Sequence, residues 1–175
     1  MRRLLSNLRV KAMTSKPLVT VITPTYNRAN FLSEAVQSVL AQSYPSYELI
    51  VVDDGSTDNT PEILEGFRQY DERIKIFSQK NKGQSFARNK ALAKARGDFI
   101  CFLDSDNAWL PYKLKKQLAV MEANPDVDVV YGDIITIDET GKEISRANMG
   151  RYSGHIAPQM LKDNCVSMNT TMARR

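Results

Sequence analysis

A chain of 175 residues with 42% hydrophobic and 25% charged content has the composition of one globular domain with room for a sizeable core, and no apolar run reaches the ~20 residues of a membrane span. Two cysteines, Cys101 and Cys165, and one histidine, His155, argue against a disulfide scaffold, a cysteine-rich zinc site, a His-rich metal centre and a Ser-His-Asp triad. The net charge of +4 sits at the ends: residues 1–16 carry Arg2, Arg3, Arg9, Lys11 and Lys16 with no acid, and without these and Arg174 and Arg175 the body is −3, which speaks against a basic nucleic-acid groove.

The basic arm (1–16) precedes the body (17–175). It has no long apolar centre and no small-residue cleavage site, so it does not read as a signal peptide. It reads first as a solvated terminus. Leu4, Leu5 and Leu8 beside its arginines also suit an anionic membrane surface.

From Pro17 onward the hydrophobic period alternates. LVTVIT (18–23) predicts a buried strand ending at Pro24. Asn30 is expected to cap a helix whose apolar positions Phe31, Leu32, Ala35, Val36, Val39 and Leu40 share one face. A second strand, Tyr47–Val52, runs into Asp53-Asp54-Gly55-Ser56, and Thr60-Pro61 opens a helix to about Tyr70. Ile74–Ser78 is a third strand. Gly83–Arg96 is expected as a helix closed by a left-handed cap at Gly97. Phe99–Leu103 is a fourth strand, Pro111–Glu122 a fourth helix and Val127–Tyr131 a fifth strand. Ile134–Ile137 and Glu143–Arg146 flank a Glu139-Thr140-Gly141-Lys142 turn and predict a hairpin. Four strand–helix units imply an α/β fold, a mainly parallel sheet with helices on both faces, and ligands beyond the carboxyl ends of its strands.

Those ends carry chemistry in order. The first gives Pro24-Thr25-Tyr26-Asn27-Arg28, the second Asp53-Asp54-Gly55-Ser56-Thr57-Asp58, the third Asn81-Lys82-Gly83-Gln84-Ser85 with Arg88 in the next helix, and the fourth Asp104-Ser105-Asp106-Asn107. Asp53, Asp104 and Asp106 would repel one another without a cation or donor among them, and a hard divalent ion sharing one or two carboxylates with substrate phosphates answers that need. Asp-x-Asp in an extended chain points both carboxylates the same way. Tyr26 can stack on a base, Asp53 can accept from a base N–H and Arg88 can pair with a phosphate. Taken singly these are ordinary features, since Asp-Asp-Gly-Ser is common turn chemistry. Trp109 reads as a packing anchor and Cys101 as a small core residue. His155 has no visible partner.

The segments VTVITPTYNRANFL, SVLAQSY, ELIVVDDGSTDNT, NKGQSFARNKAL and GDFICFLDSDNAWLP, followed by Lys113-Leu114, resemble the family-2 glycosyltransferases of GT-A fold. The resemblance implies that Pro24, Thr25 and Tyr26 contact the base and ribose, that Asp53 accepts from the base and that Asp54 shapes the loop beside it. It implies that Gly83 and Arg88 pass near the base and diphosphate, that Asp104 and Ser105 approach the ribose, and that Asp106 coordinates Mn²⁺ or Mg²⁺. Asn107 stands where the family more often has another aspartate, so the local charge differs. The implied reaction is sugar transfer with inversion from a nucleotide-diphosphate sugar, a UDP-sugar first, to a hydroxyl of a glycan or lipid-linked acceptor. The resemblance further implies a role in polysaccharide biosynthesis for a cell envelope, carried out in the cytoplasm at the inner face of the membrane. The family's general base lies in an acidic motif after a segment that CVSMNTTMARR resembles, and no acid follows Asp163. The expectation is therefore a donor-binding part of a longer enzyme, with little or no transfer of its own.

Other classes fit less well. A phosphoacceptor receiver domain needs its acidic pair on the first strand and a late Lys-Pro strand end. A dinucleotide-dependent dehydrogenase needs Gly-x-Gly-x-x-Gly where Thr23-Pro24-Thr25-Tyr26 stands. A non-catalytic module that binds nucleotide sugar remains the alternative.

Overall fold

The computed structural model describes residues 16–150, 152–163 and 165–175; all of the basic arm except Lys16 lies outside the described residues. β1 (Val19–Thr25), β2 (Tyr47–Asp53), β3 (Ile74–Ser78) and β4 (Phe99–Phe102) alternate with α1 (Ala29–Leu40), α2 (Thr60–Tyr70), α3 (Gln84–Leu92) and α4 (Lys113–Ala123). All seven residues of β1 and all seven of β2 are buried, the pattern of central parallel strands covered on both faces. Odd positions such as Val19 and Val21 pack with Leu32, Val36, Leu64 and Leu114 of α1, α2 and α4. On the other face Ile22, Ile50 and Val52 pack on Ala87 and Ala91 of α3. Small residues on α3 let it lie close to the sheet.

The chain then forms β5 (Val129–Val130), a hairpin of β6 (Ile134–Ile137) and β7 (Glu143–Ala147), the short helix α5 (Ala157–Met160), a 3₁₀ turn (Met168–Thr170) and β8 (Met172–Arg174). The main sheet has the order β3-β2-β1-β4-β8-β5, and the hairpin stands apart from it. β3, β2, β1 and β4 are parallel, whereas β8 runs antiparallel between β4 and β5. The strand order reverses at β1, with β2 on one side and β4 on the other. The crevice beyond the ends of β1 and β4 is therefore the topological switch point, where ligands bind in such sheets.

Four local expectations need correction. Asn30 does not cap α1: the helix begins at Ala29, and its first N–H groups go to another loop, with Ala29 N–H donating to Asp58 Oδ2 (3.1 Å) and Arg28 N–H to Thr60 Oγ1 (3.2 Å). α3 ends at Leu92 rather than Arg96. Gly97 is not among the glycines with positive φ. Its lack of a side chain serves a close approach instead, because a Cβ there would lie 2.5 Å from the Thr20 nitrogen. Finally, β5 is two residues long and β8 is a strand that no pattern announced.

The early end of α3 has a cause. The Arg96 N–H donates to Glu48 Oε1 (2.7 Å) and the Gly97 N–H to Thr20 Oγ1 (2.9 Å). Thr20 Oγ1 donates to Glu48 in turn (2.7 Å), and Lys75 and Arg96 bring their charges to the same carboxylate. Burial pushes the Glu48 carboxyl up, but the hydrogen bonds from Lys75, Thr20 and Arg96 outweigh it and hold it at about 2.

Candidate functional site

A cleft of about 440 Å³ opens at the carboxyl ends of β1 and β4. Its β1 wall is Pro24, Thr25, Tyr26 and Arg28; Asp54, Asn81, Gly83 and Gln84 form a second wall, and Asp104, Ser105 and Asp106 a third. Eight of the ten residues singled out in the sequence thus line one cavity. The other two stand behind it. Asp53 is buried and its Oδ1 accepts the Ser56 N–H (3.0 Å) and the Ser56 hydroxyl. Arg88 reaches from α3 to Asp104, its Nη2 donating to Oδ1 (2.6 Å), so in this structure it holds a carboxylate.

The first two strand ends are sewn together. Asn27, at φ +50°, accepts the Thr57 N–H at its Oδ1 (2.8 Å), and its own N–H donates to Ser56 Oγ (2.9 Å). A left-handed Asn is tolerated when its side chain closes a local hydrogen bond. Pro24 fits in a buried strand because the β4 ladder stops at Ile22, so one side of β1 needs no N–H there. Tyr26, 44% exposed, is left with its ring on the cleft wall.

Asp54 joins the second and third strand ends. Its carboxylate accepts from Gln79 Nε2 (2.8 Å), Lys82 N–H (3.0 Å) and Gly83 N–H (2.7 Å). Burial raises its pKa, and those three donors together outweigh burial and lower it. Gly83 sits at φ +91° immediately before α3, a backbone state that favours glycine.

The Asp104-Ser105-Asp106 segment is a turn, closed by the Asn107 N–H donating to the Asp104 carbonyl (3.1 Å), and not the extended chain expected. The two carboxylates consequently part. Asp104 faces inward to Arg88, to Gln84 Nε2 (2.9 Å) and to Asn169 Nδ2 (3.0 Å). Asp106 faces the mouth, with Arg28 Nε at 3.6 Å and Asn107 Nδ2 donating to its Oδ1 (3.1 Å). The mutual repulsion expected of Asp53, Asp104 and Asp106 is thus answered by protein donors, one set for each.

Among the described residues no three His, Cys, Asp or Glu side chains are grouped to hold a metal ion. Asp106 remains the exposed carboxylate of the rim. One protein carboxylate, with the other ligands from phosphates and water, is the ordinary way a protein holds Mg²⁺ or Mn²⁺ on a nucleotide. The donor set fits a cation carried in with a diphosphate, not a closed protein cage.

Three lining residues, Arg28, Asn81 and Gln84, stood in quoted segments without a role. A fourth residue of the site, Asn169, is not on the cleft wall but holds Asp104, and it arrives from the 3₁₀ turn, 65 residues beyond Asp104. The quoted segment CVSMNTTMARR was its only signal. Trp109 is buried in the core, its Nε1–H donating to the Asn169 carbonyl (2.9 Å) and Lys113 Nζ lying 4.0 Å from its ring centroid. It is a packing anchor, as read. Cys101 is fully buried, which pushes its thiol up to about 11.

The sequence profile described as glycosyl transferase family 2 matches residues 20–174. An uncharacterized glycosyltransferase of Rickettsia conorii is 38% identical over 168 residues, covering 96% of this chain and 28% of the relative. The putative teichuronic acid biosynthesis glycosyltransferase TuaG of Bacillus subtilis is 50% identical over 107 residues, covering 61% of this chain and 42% of that protein. The chain therefore spans well under half the length of these relatives. Among solved structures, S. aureus TarS 1–349 in complex with UDP-GlcNAc superposes with a TM-score of 0.73 at 28% identity, over 89% of this chain and 45% of that one. The mannosyltransferase PcManGT from Pyrobaculum calidifontis, in complex with GDP-Man and Mn²⁺, gives 0.63 at 31% identity, over 68% and 36%. With the fold, the profile and these relatives in agreement, the chain belongs to glycosyl transferase family 2.

Proposed function

We propose that residues 17–175 form the donor-binding part of an inverting glycosyltransferase that uses a nucleotide-diphosphate sugar. The observation that carries this reading is the convergence of Tyr26, Arg28, Asp54, Asp104, Ser105 and Asp106 on one cleft at the switch point of the sheet. The Tyr26 ring offers a stacking face to the base, and Asp53 and Asp54 stiffen the loops around it. Asp104 and Ser105 receive ribose hydroxyls, with Arg88 holding Asp104. Asp106 would hold Mn²⁺ or Mg²⁺, which when bound neutralises charge on the diphosphate. Arg28 adds a fixed positive charge at the same mouth. In transfer, the acceptor hydroxyl oxygen bonds to the anomeric carbon as the bond from that carbon to the diphosphate oxygen breaks, with inversion, and a carboxylate base takes the hydroxyl proton.

The described rim holds no carboxylate free for that base. Asp53, Asp54 and Asp104 are each engaged by protein donors, and Asp106 is assigned to the cation. The base and the acceptor site are therefore proposed to lie elsewhere in the enzyme, and these residues alone are expected to transfer sugar poorly. The same engagement favours the second reading, a module that binds nucleotide sugar without turning it over. By analogy with the putative teichuronic acid biosynthesis glycosyltransferase, the acceptor is a glycan or lipid-linked sugar of a cell envelope. The work then takes place in the cytoplasm at the inner membrane face, with the basic arm touching anionic lipid. No helix among the described residues is long and apolar enough to cross a membrane.

Thermal unfolding with Mn²⁺ and UDP, GDP or dTDP tests the donor class. A ligand bound only by the folded chain raises its stability in proportion to the logarithm of concentration over Kd. UDP is expected to raise the midpoint most. A larger rise with GDP or dTDP would replace the UDP assignment. No rise with any of them would refute the donor reading.

A further inference from the structure

Asp104 collects three side-chain donors from two separate elements, α3 and the 3₁₀ turn. Arg88 Nη2 and Gln84 Nε2 donate to Oδ1 (2.6 and 2.9 Å), and Asn169 Nδ2 donates to Oδ2 (3.0 Å). Asn169 also closes a ring, because its Oδ1 accepts the Asp104 main-chain N–H (2.6 Å). Its main-chain carbonyl is tied in turn to the buried indole of Trp109 (2.9 Å). The amide that grips Asp104 is thus anchored in the core.

An ionised carboxylate has about four acceptor positions. On Asp104 both positions of Oδ1 and one of Oδ2 are taken by protein groups. One acceptor position is left, on Oδ2, and Asn169 occupies the other position of that atom. Arg88 and Asn169 grip the two oxygens separately, which fixes the rotation of the carboxylate plane. Asp104 lines the cleft, so the remaining position is the one that a ligand can use.

We infer that Asn169 is a positioning residue of the donor site: it fixes Asp104 so that a single acceptor position on Oδ2 receives a ribose hydroxyl of the nucleotide. This rests on the donor reading of the cleft given above. It gives the turn before β8 a part in donor recognition, and it makes affinity for the ribose depend on a residue that need not touch the nucleotide.

The test is a thermodynamic cycle. UDP and its 2′-deoxy and 3′-deoxy analogues are titrated, with Mn²⁺, into the wild-type chain, Asn169→Ala and Asn169→Asp. The aspartate keeps the size of the side chain and sets a like charge beside Asp104. Loss of a hydrogen bond to a charged group predicts UDP binding about 10-fold weaker or more in both variants. In the wild type, at least one deoxy analogue binds about 10-fold more weakly than UDP. In the variants that penalty shrinks, a coupling that mere loosening of the fold does not produce. Hydrogen exchange of the Asp104 amide reads the clamp without ligand, and it is expected to be at least about 10-fold faster in Asn169→Ala. Unchanged Asp104 exchange overturns the proposal. So does a wild-type chain that binds UDP while the variants keep its affinity or its full deoxy penalty, and that result leaves the donor reading intact. A wild-type chain that is folded and binds none of UDP, GDP or dTDP overturns the donor reading, and this proposal with it.

Discussion

Glu48 and Asp104 stand at opposite ends of the sheet and make an instructive pair. Each is a carboxylate that gathers a cation and neutral donors from distant parts of the chain. Glu48, near the start of β2, is 3% exposed and surrounded by Thr20, Lys75 and Arg96. Asp104, just past β4, has a side chain 23% exposed and lines the cleft. The first network locks β1, β2, β3 and the exit of α3 together with nothing left over. The second is nearly complete but keeps one side open. In a parallel sheet the amino-end edge is free to serve stability, and the carboxyl-end edge carries the ligand.

Mutations at the two ends should therefore separate stability from binding. The largest expected effect is at the closed end: Glu48→Ala leaves the buried Thr20 hydroxyl and the Arg96 N–H without their acceptor, and two such unsatisfied groups together cost about 3 kcal/mol. Urea unfolding reads this cost, while nucleotide affinity of the folded fraction stays unchanged. A Glu48→Ala chain as stable as the wild type would erase the comparison. Gly97→Ala follows at about 2 kcal/mol, since its Cβ would overlap the Thr20 nitrogen and force the backbone to shift.

A pH titration sharpens the same contrast. Glu48 is held at about 2 and Asp54 is lowered as well, so both contribute stability above the ordinary carboxylate range. That stability is lost as pH falls from near 4.5 toward 2. Glu48→Gln should flatten the unfolding profile across that window; a profile as steep as the wild type's would assign the acid sensitivity elsewhere. The smallest effect belongs to the open end. Arg28 and Asp106 form an exposed pair at 3.6 Å, and Arg28→Ala is expected to change stability by less than about 0.5 kcal/mol while weakening nucleotide binding.

What the residues announced, and what they did not, follows from range. β1, β2 and β4 were readable because their burial is written in β-branched and apolar runs, and β3 from Ile74, Ile76 and Phe77 around a single lysine. α1 was readable from its apolar face, yet its start was misplaced, because Asp58 caps it from a loop 29 residues away. Residues 93–96 carry good helix formers, but α3 stops so that Arg96 and Gly97 can turn their N–H groups to Glu48 and Thr20. β8 has no pattern of its own in Met172–Arg174 and exists through pairing with β4 and β5. At the site, the acidic residues and Tyr26 stand out by type. The grip of Asn169 on Asp104 arises only when the chain closes on itself.

The most direct test of the account is calorimetric titration of UDP into the folded chain with and without Mn²⁺, repeated on Asp106→Ala. Binding is expected to require Mn²⁺ and to disappear in Asp106→Ala, with the unfolding midpoint of the variant close to that of the wild type. Binding that is equally strong without the metal and in the variant would contradict the role given to Asp106. No binding of UDP, GDP or dTDP by a folded chain would contradict the donor site itself.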